Sequence, residues 1–184
     1  MIKVKNTKGI LLVIALTLVL LISSYVQFNY IQQLAESSGL PAKFKDYTDH
    51  FHFIIFIISF LFQIIILFFL IGYEVFLLYF TVYFFYKRMH YLKVYIQPVL
   101  LSNLITLILN LGINLLISPY IYDIQALKQY TLLSPVNYLI KPFMLCYFLS
   151  KKNIFPNTVL DWIKVGVVYV LFTCIPSILL LLIF

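Results

Sequence analysis

Between Phe51 and Tyr86 run 36 residues whose only carboxylate is Glu74. No other feature restricts the fold of this chain so strongly. A run of that length with so little charge cannot be wrapped inside a soluble domain of 184 residues, and it matches the solvent of a bilayer. The rest of the chain repeats the pattern, with apolar runs separated by short basic turns. The chain is 64% hydrophobic and 10% charged, against roughly 25% charged in soluble domains. No polar segment is long enough to build a separate core, so residues 1–184 read as one membrane domain.

Five spans follow from the run lengths. The first is 9–28, after a basic lead with Lys3, Lys5 and Lys8. Its apolar core exceeds the roughly 7–15 residues of a signal peptide, and "SSYVQFNY" offers no small-residue cleavage site, so an uncleaved span is expected. An outer polar loop, 29–50, comes next. Within it Tyr30–Ser38 reads as a short surface helix, stopped by Gly39 and Pro41. The stretch 51–86 would be about 54 Å long as a helix. That is too short for two spans plus a turn, so one long tilted or bent helix is expected, with a re-entrant break near Gly72 as the alternative. The remaining spans are 96–118, 134–150 and 160–184. The basic turns "KRMHYLK" and "KKNIFPN" precede the third and the fifth.

The basic residues orient this arrangement. With the N-terminus inside and the C-terminus outside, nine of the thirteen Lys and Arg residues fall on the inner side. The +7 formal charge is therefore read as topology, and nucleic-acid binding is not expected. "YLKV" (91–94) and "WIKV" (162–165) follow the two inner turns, with Pro98 and Pro176 in the outgoing spans. They suggest a two-span repeat of the kind seen in some transporters.

Polar residues inside the spans are the candidate site. Gln63, Glu74 and Thr81 fall on one helical face. Asn103, Asn110 and Asn114 form a second stripe, and Lys141 lies within the fourth span. Counted from the basic turns, Glu74 is about 20 Å deep, Lys141 about 15 Å, and Asn103 and Asn110 about 15 and 25 Å. A buried carboxylate needs a cation or several donors. Gln63, Glu74, Asn103, Asn110 and Lys141 are therefore expected to converge in one intramembrane polar layer. Such a layer can glue helices together or line a path for substrate or ions.

Other chemistry finds little support. Asp46, Asp49, His50 and His52 in "DYTDHFH" lack the spacing of a metal signature and read as a solvated cap of the second span. Cys146 and Cys174 read as packing residues, and no metal or other cofactor is expected. There is no nucleophile elbow, P-loop or H-E-x-x-H, so no catalytic residues are assigned and no enzyme is expected. Most aromatics read as lipid-facing fill and interface belt, with Trp162, Tyr91 and Tyr95 as inner anchors.

The order of these features resembles the bacterial branch of the Yip-domain family. The likeness rests on "QQLAESSGLPAKFKDY" after the first span, the long second span into "YKRMHYLKVYIQPVLLSN", then "LSPVNYLIKPFMLCYFLSKK" and "WIKVGVVYVLFTCIPSILLLL". The paired glycines that members often carry in the first inner turn are missing, as is a eukaryotic-type cytoplasmic tail. The resemblance implies a non-enzymatic protein, an accessory component beside an ABC-type exporter in resistance to toxic peptides, and carries over no catalytic residues. The Lys-, Ile-, Phe-, Tyr- and Asn-rich composition fits a bacterial plasma membrane. Expected partners are the lipid bilayer and other membrane subunits. A small transporter with its own polar path and a toxin-immunity protein are the alternatives.

Overall fold

A computed structural model describes residues 3–37, 42–88, 90–117 and 134–183. These residues are helical apart from short turns, with no strand among them. Five α-helices follow in order among them: α1 Lys3–Ser37, α2 Ala42–Tyr86, α3 Lys93–Ile117, α4 Lys141–Lys151 and α5 Val159–Ile183. A π-helical turn, Val136–Ile140, leads directly into α4. Isoleucine and phenylalanine are middling helix formers in water. In an apolar medium a segment must satisfy its own backbone, and a helix does so residue by residue. Among the described residues, three segments are long and apolar enough to cross a membrane: Gly9–Tyr30, Phe53–Tyr86 and Lys93–Ile117. The fold is thus that of a helical membrane protein.

α2 runs unbroken through Gly72, 45 residues and about 67 Å long. The described parts of the polar stretch 29–50 are helical and not a loop. α1 continues through it to Ser37, so Tyr30–Ser37 is the end of the first helix and not a separate one, and α2 begins at Ala42, nine residues before Phe51. The physical reason is local. Neither Asn29–Ser37 nor Ala42–His50 contains glycine or proline, and polarity alone does not break a helix. α3 starts at Lys93, three residues before the expected Ile96. The "DYTDHFH" side chains and the loop 119–133 lie outside the described residues.

Successive helices pack antiparallel. Ser24 on α1 bonds to Gln63 on α2, and Tyr25 and Phe28 pack edge-on against Phe56. α2 turns its face of Leu67, Ile71, Val75, Leu78 and Val82, at spacings of three and four, into the core. There it meets Leu16 and Leu20 of α1, Tyr95 and Val99 of α3, Leu145 and Leu149 of α4, and Val165 of α5. The opposite face of α2 carries exposed Phe62, Phe69 and Phe84. An apolar face of that length is at home only in lipid or against another membrane protein.

The two basic turns lie together. Lys87 and Asn153 adopt left-handed backbone (φ 53° and 55°) and close the C-termini of α2 and α4. Ile154 and Phe155 then fold back under the bundle, 1% and 2% exposed, and Phe155 stacks on Tyr86 at 6.0 Å. Thr158 and Asp161 form a capping box at the start of α5. Tyr86 donates to Asp161 (2.7 Å), and Lys152 donates to Gln97 (2.8 Å). The "YLKV" and "WIKV" segments are not equivalent within this frame. The first spans the start of α3, whereas Trp162 lies three residues beyond Val159, the first residue of α5.

Candidate functional site: a buried ionic centre

Glu74 sits on the core face of α2, 4% exposed, about 20 Å from Lys87 along the helix axis. Three helices each bring one donor to it. From α4, Lys141 Nζ donates to Glu74 Oε1. From α5, the Tyr169 hydroxyl donates to the same oxygen at 2.9 Å. From α3, Asn103 Nδ2 donates to Glu74 Oε2 at 2.7 Å. Asn103 also accepts from Lys141 Nζ through Oδ1 (2.9 Å), so it touches both members of the ion pair. Its Nδ2 is shared with the Val99 carbonyl at 2.9 Å, one turn back on α3.

The centre is closed and neutral. Both carboxylate oxygens are taken, the pair carries no net charge, and Glu74 and Lys141 side chains are only 5% and 12% exposed. A lone charge at the centre of a bilayer costs several kcal/mol. Here Glu74 and Lys141 offset one another, and Asn103 and Tyr169 supply further charge-assisted bonds. The four residues come from four helices and lie about 15–20 Å from the basic end, near the middle of a hydrocarbon layer about 30 Å thick.

Lys141 owes its position to the π turn. Pro142 has no N–H to give to the carbonyl of residue 138, and its ring would crowd that carbonyl in a regular α-helix. The chain widens instead, and the Lys141 N–H bonds five residues back to the Val136 carbonyl. Asn137 and Lys141, at either end of the widened turn, both reach α3: Asn137 to Asn110 and Lys141 to Asn103.

The structure thus brings Glu74, Asn103 and Lys141 together and leaves two of the expected residues elsewhere. Gln63 accepts from Ser24 Oγ (2.6 Å) and joins α1 to α2. It is eleven residues from Glu74, about 16 Å along the axis, beyond the reach of any side chain. Asn110 receives the Ser134 hydroxyl (2.8 Å) and donates to Asn137 (3.2 Å), which fastens the start of the π turn to α3. Thr81 is buried but donates to its own helix at Leu77. The expected single layer is therefore three separate tiers. Tyr169 is the member that sequence reasoning missed. A usable signal existed, because within Val165–Phe172 it is the only side chain that can donate a hydrogen bond. A Tyr169→Phe substitution is expected to lower unfolding free energy by about 1.5 kcal/mol, as for a hydrogen bond to a charged group. Denaturation in detergent micelles measures this, and an unchanged midpoint would remove the phenol from the centre.

Among the described residues, no group of three His, Cys, Asp or Glu side chains is placed to hold a metal. Chemically the centre can fix helix positions or exchange a proton. No family model matches the chain, and no curated protein or solved structure proves similar to it.

Proposed function

We propose that this chain is a non-catalytic membrane protein of five spans, N-terminus inside and C-terminus outside, in a bacterial plasma membrane. In this reading it serves as an accessory or assembly subunit of a transporter, of which an ABC-type exporter acting in toxic-peptide resistance fits the Yip-like arrangement best. The observation that carries the proposal is the closure of the ionic centre. A transport site must release what it binds, whereas Glu74 spends both oxygens on three helices of its own chain. That geometry suits a rigid body. The long apolar outer face of α2 offers such a body a surface for a partner subunit.

A mid-membrane ion pair also supports the second reading, a small transporter in which Glu74 and Lys141 part during the cycle. Two measurements separate them. Gentle solubilisation of native membranes and affinity purification is expected to recover an ATPase partner with the chain, and deletion of that ATPase is expected to abolish the phenotype. Purified chain alone in proteoliposomes is expected to move no substrate. Transport by the chain alone would establish the second reading. Protection of cells against one cognate peptide, with no partner needed, would instead identify an immunity protein.

A further inference from the structure

α5 runs as one helix from Val159 through Pro176 to Ile183. Proline has no N–H, so the carbonyl four residues before it loses its helical donor. For Pro176 that carbonyl belongs to Phe172. An unpaired carbonyl is costly in an apolar medium, and a proline in a membrane helix is tolerated where a neighbouring helix satisfies the freed group. α2 does so here: the Tyr73 hydroxyl donates to the Phe172 carbonyl at 3.1 Å. Tyr73 thus replaces, from another helix, the bond that Pro176 cannot make.

The same turn of α5 is weakened a second time. Thr173 Oγ1 donates back to the Tyr169 and Val170 carbonyls at 2.8 and 3.1 Å, and back-bonding of this kind bends helices. Packing also ends there. Inward of the turn, Asp161, Val165 and Tyr169 are buried at intervals of four. Phe172, the next residue on that face, is 50% exposed. Two consecutive residues of α2 hold α5 at this boundary. Glu74 accepts from Tyr169 inside the bundle, and Tyr73 donates to Phe172 at its surface. The ionic centre therefore anchors the inner part of α5, whereas at Phe172 a missing N–H, a bending threonine and the loss of burial coincide.

We propose that the part of α5 beyond Phe172 is a hinged outer arm and that Tyr73 is its latch on α2. With the latch open, the arm swings on the Phe172–Pro176 turn while the ionic centre stays closed. The inference rests on the five-span reading, in which α5 lies in lipid. Tyr73→Phe removes the latch and little else. Pro176→Ala restores the N–H, so the Phe172 carbonyl is served within α5 and the latch becomes redundant. Cys146 and Cys174 are replaced by alanine, and spin labels are attached to new cysteines in chains reconstituted in nanodiscs. A pair at Ile58 on α2 and Leu180 reports the arm, and a pair at Ile58 and Val167 reports the inner part of α5; Ile58 and Val167 are both exposed. Dipolar spectroscopy gives the distance distributions. Tyr73→Phe is expected to raise the population of displaced arm about threefold, as the loss of one average hydrogen bond between membrane helices predicts, and to leave the Ile58–Val167 distances unchanged. In the Pro176→Ala background the same substitution is expected to change neither pair. An arm untouched by Tyr73→Phe, or an equal change in both backgrounds, would overturn the latch. Displacement of both pairs would mean that α5 moves as a whole and would overturn the hinge. Faster relaxation of the Val167 label by a water-soluble nickel chelate than by oxygen would instead take α5 out of lipid, a failure of the five-span reading.

Discussion

Lys141→Met is expected to lower the unfolding free energy by about 3–5 kcal/mol, because it leaves Glu74 charged and buried without its cation. Neutral hydrogen bonds between membrane helices average only about 0.6 kcal/mol, so a loss of this size reports the unpaired charge and not the missing bond. Glu74→Gln strands the ammonium in the same way. The double substitution removes both charges, and the new side-chain amide oxygen can still accept from Asn103 or Tyr169. Its cost is expected to fall short of the sum of the single costs by about 2 kcal/mol. Unfolding titrations in bicelles on the four proteins of the cycle give the number. Strict additivity would mean that the two residues do not sense each other and that the centre is an accident of packing.

The second large effect concerns Asn103. Its amide donates to Glu74 on one side and accepts from Lys141 on the other. Asn103→Asp is nearly isosteric but replaces the donor with a second carboxylate facing the first, with one ammonium to serve both. A loss of about 3 kcal/mol or more is expected, as for an uncompensated buried charge. Asn103→Leu removes the polar group altogether and leaves Glu74 with Lys141 and Tyr169, for a smaller loss of about 1–2 kcal/mol. The ordering is the test. If the leucine variant proves less stable than the aspartate variant in the same titration, the amide is not aimed at Glu74 as described.

Depth was the most legible property of the sequence. A helix rises a fixed distance per residue, so counting from a basic turn places a polar side chain in the membrane. That count puts Asn103 and Lys141 at about 15 Å, Glu74 at about 20 Å and Asn110 at about 25 Å, and of these Glu74, Asn103 and Lys141 meet. Faces were legible too, but a shared face is not a shared level. Gln63 and Asn110 lie on the expected faces, yet meet partners in other tiers. Tyr169 is hard to single out in a chain with fifteen tyrosines, and its one mark is that no other side chain in Val165–Phe172 can donate a hydrogen bond. The helix ends near Ser37 and Ala42 are obscured by a different effect, since polarity suggests a loop where only Gly39 and Pro41 interrupt the helical pattern of the sequence. The π turn could not be read at all. Pro142 announces a disturbance, but whether the chain kinks, breaks or widens depends on what Asn137 and Lys141 find across the interface.

The ionic centre also has a consequence for how the chain is made. Glu74 precedes Lys141 by 67 residues, so during synthesis the carboxylate enters the membrane long before its countercharge exists. α2 is apolar enough to insert with that burden. α4 is different: it has eleven residues and carries a lysine of its own, so it is a poor candidate for insertion by itself. In the proposed five-span arrangement, Glu74 would supply what α4 lacks, an electrostatic reason to enter the bilayer. In that arrangement the earlier helix would help the later one into place within a single polypeptide, through the same contact that joins them in the finished fold.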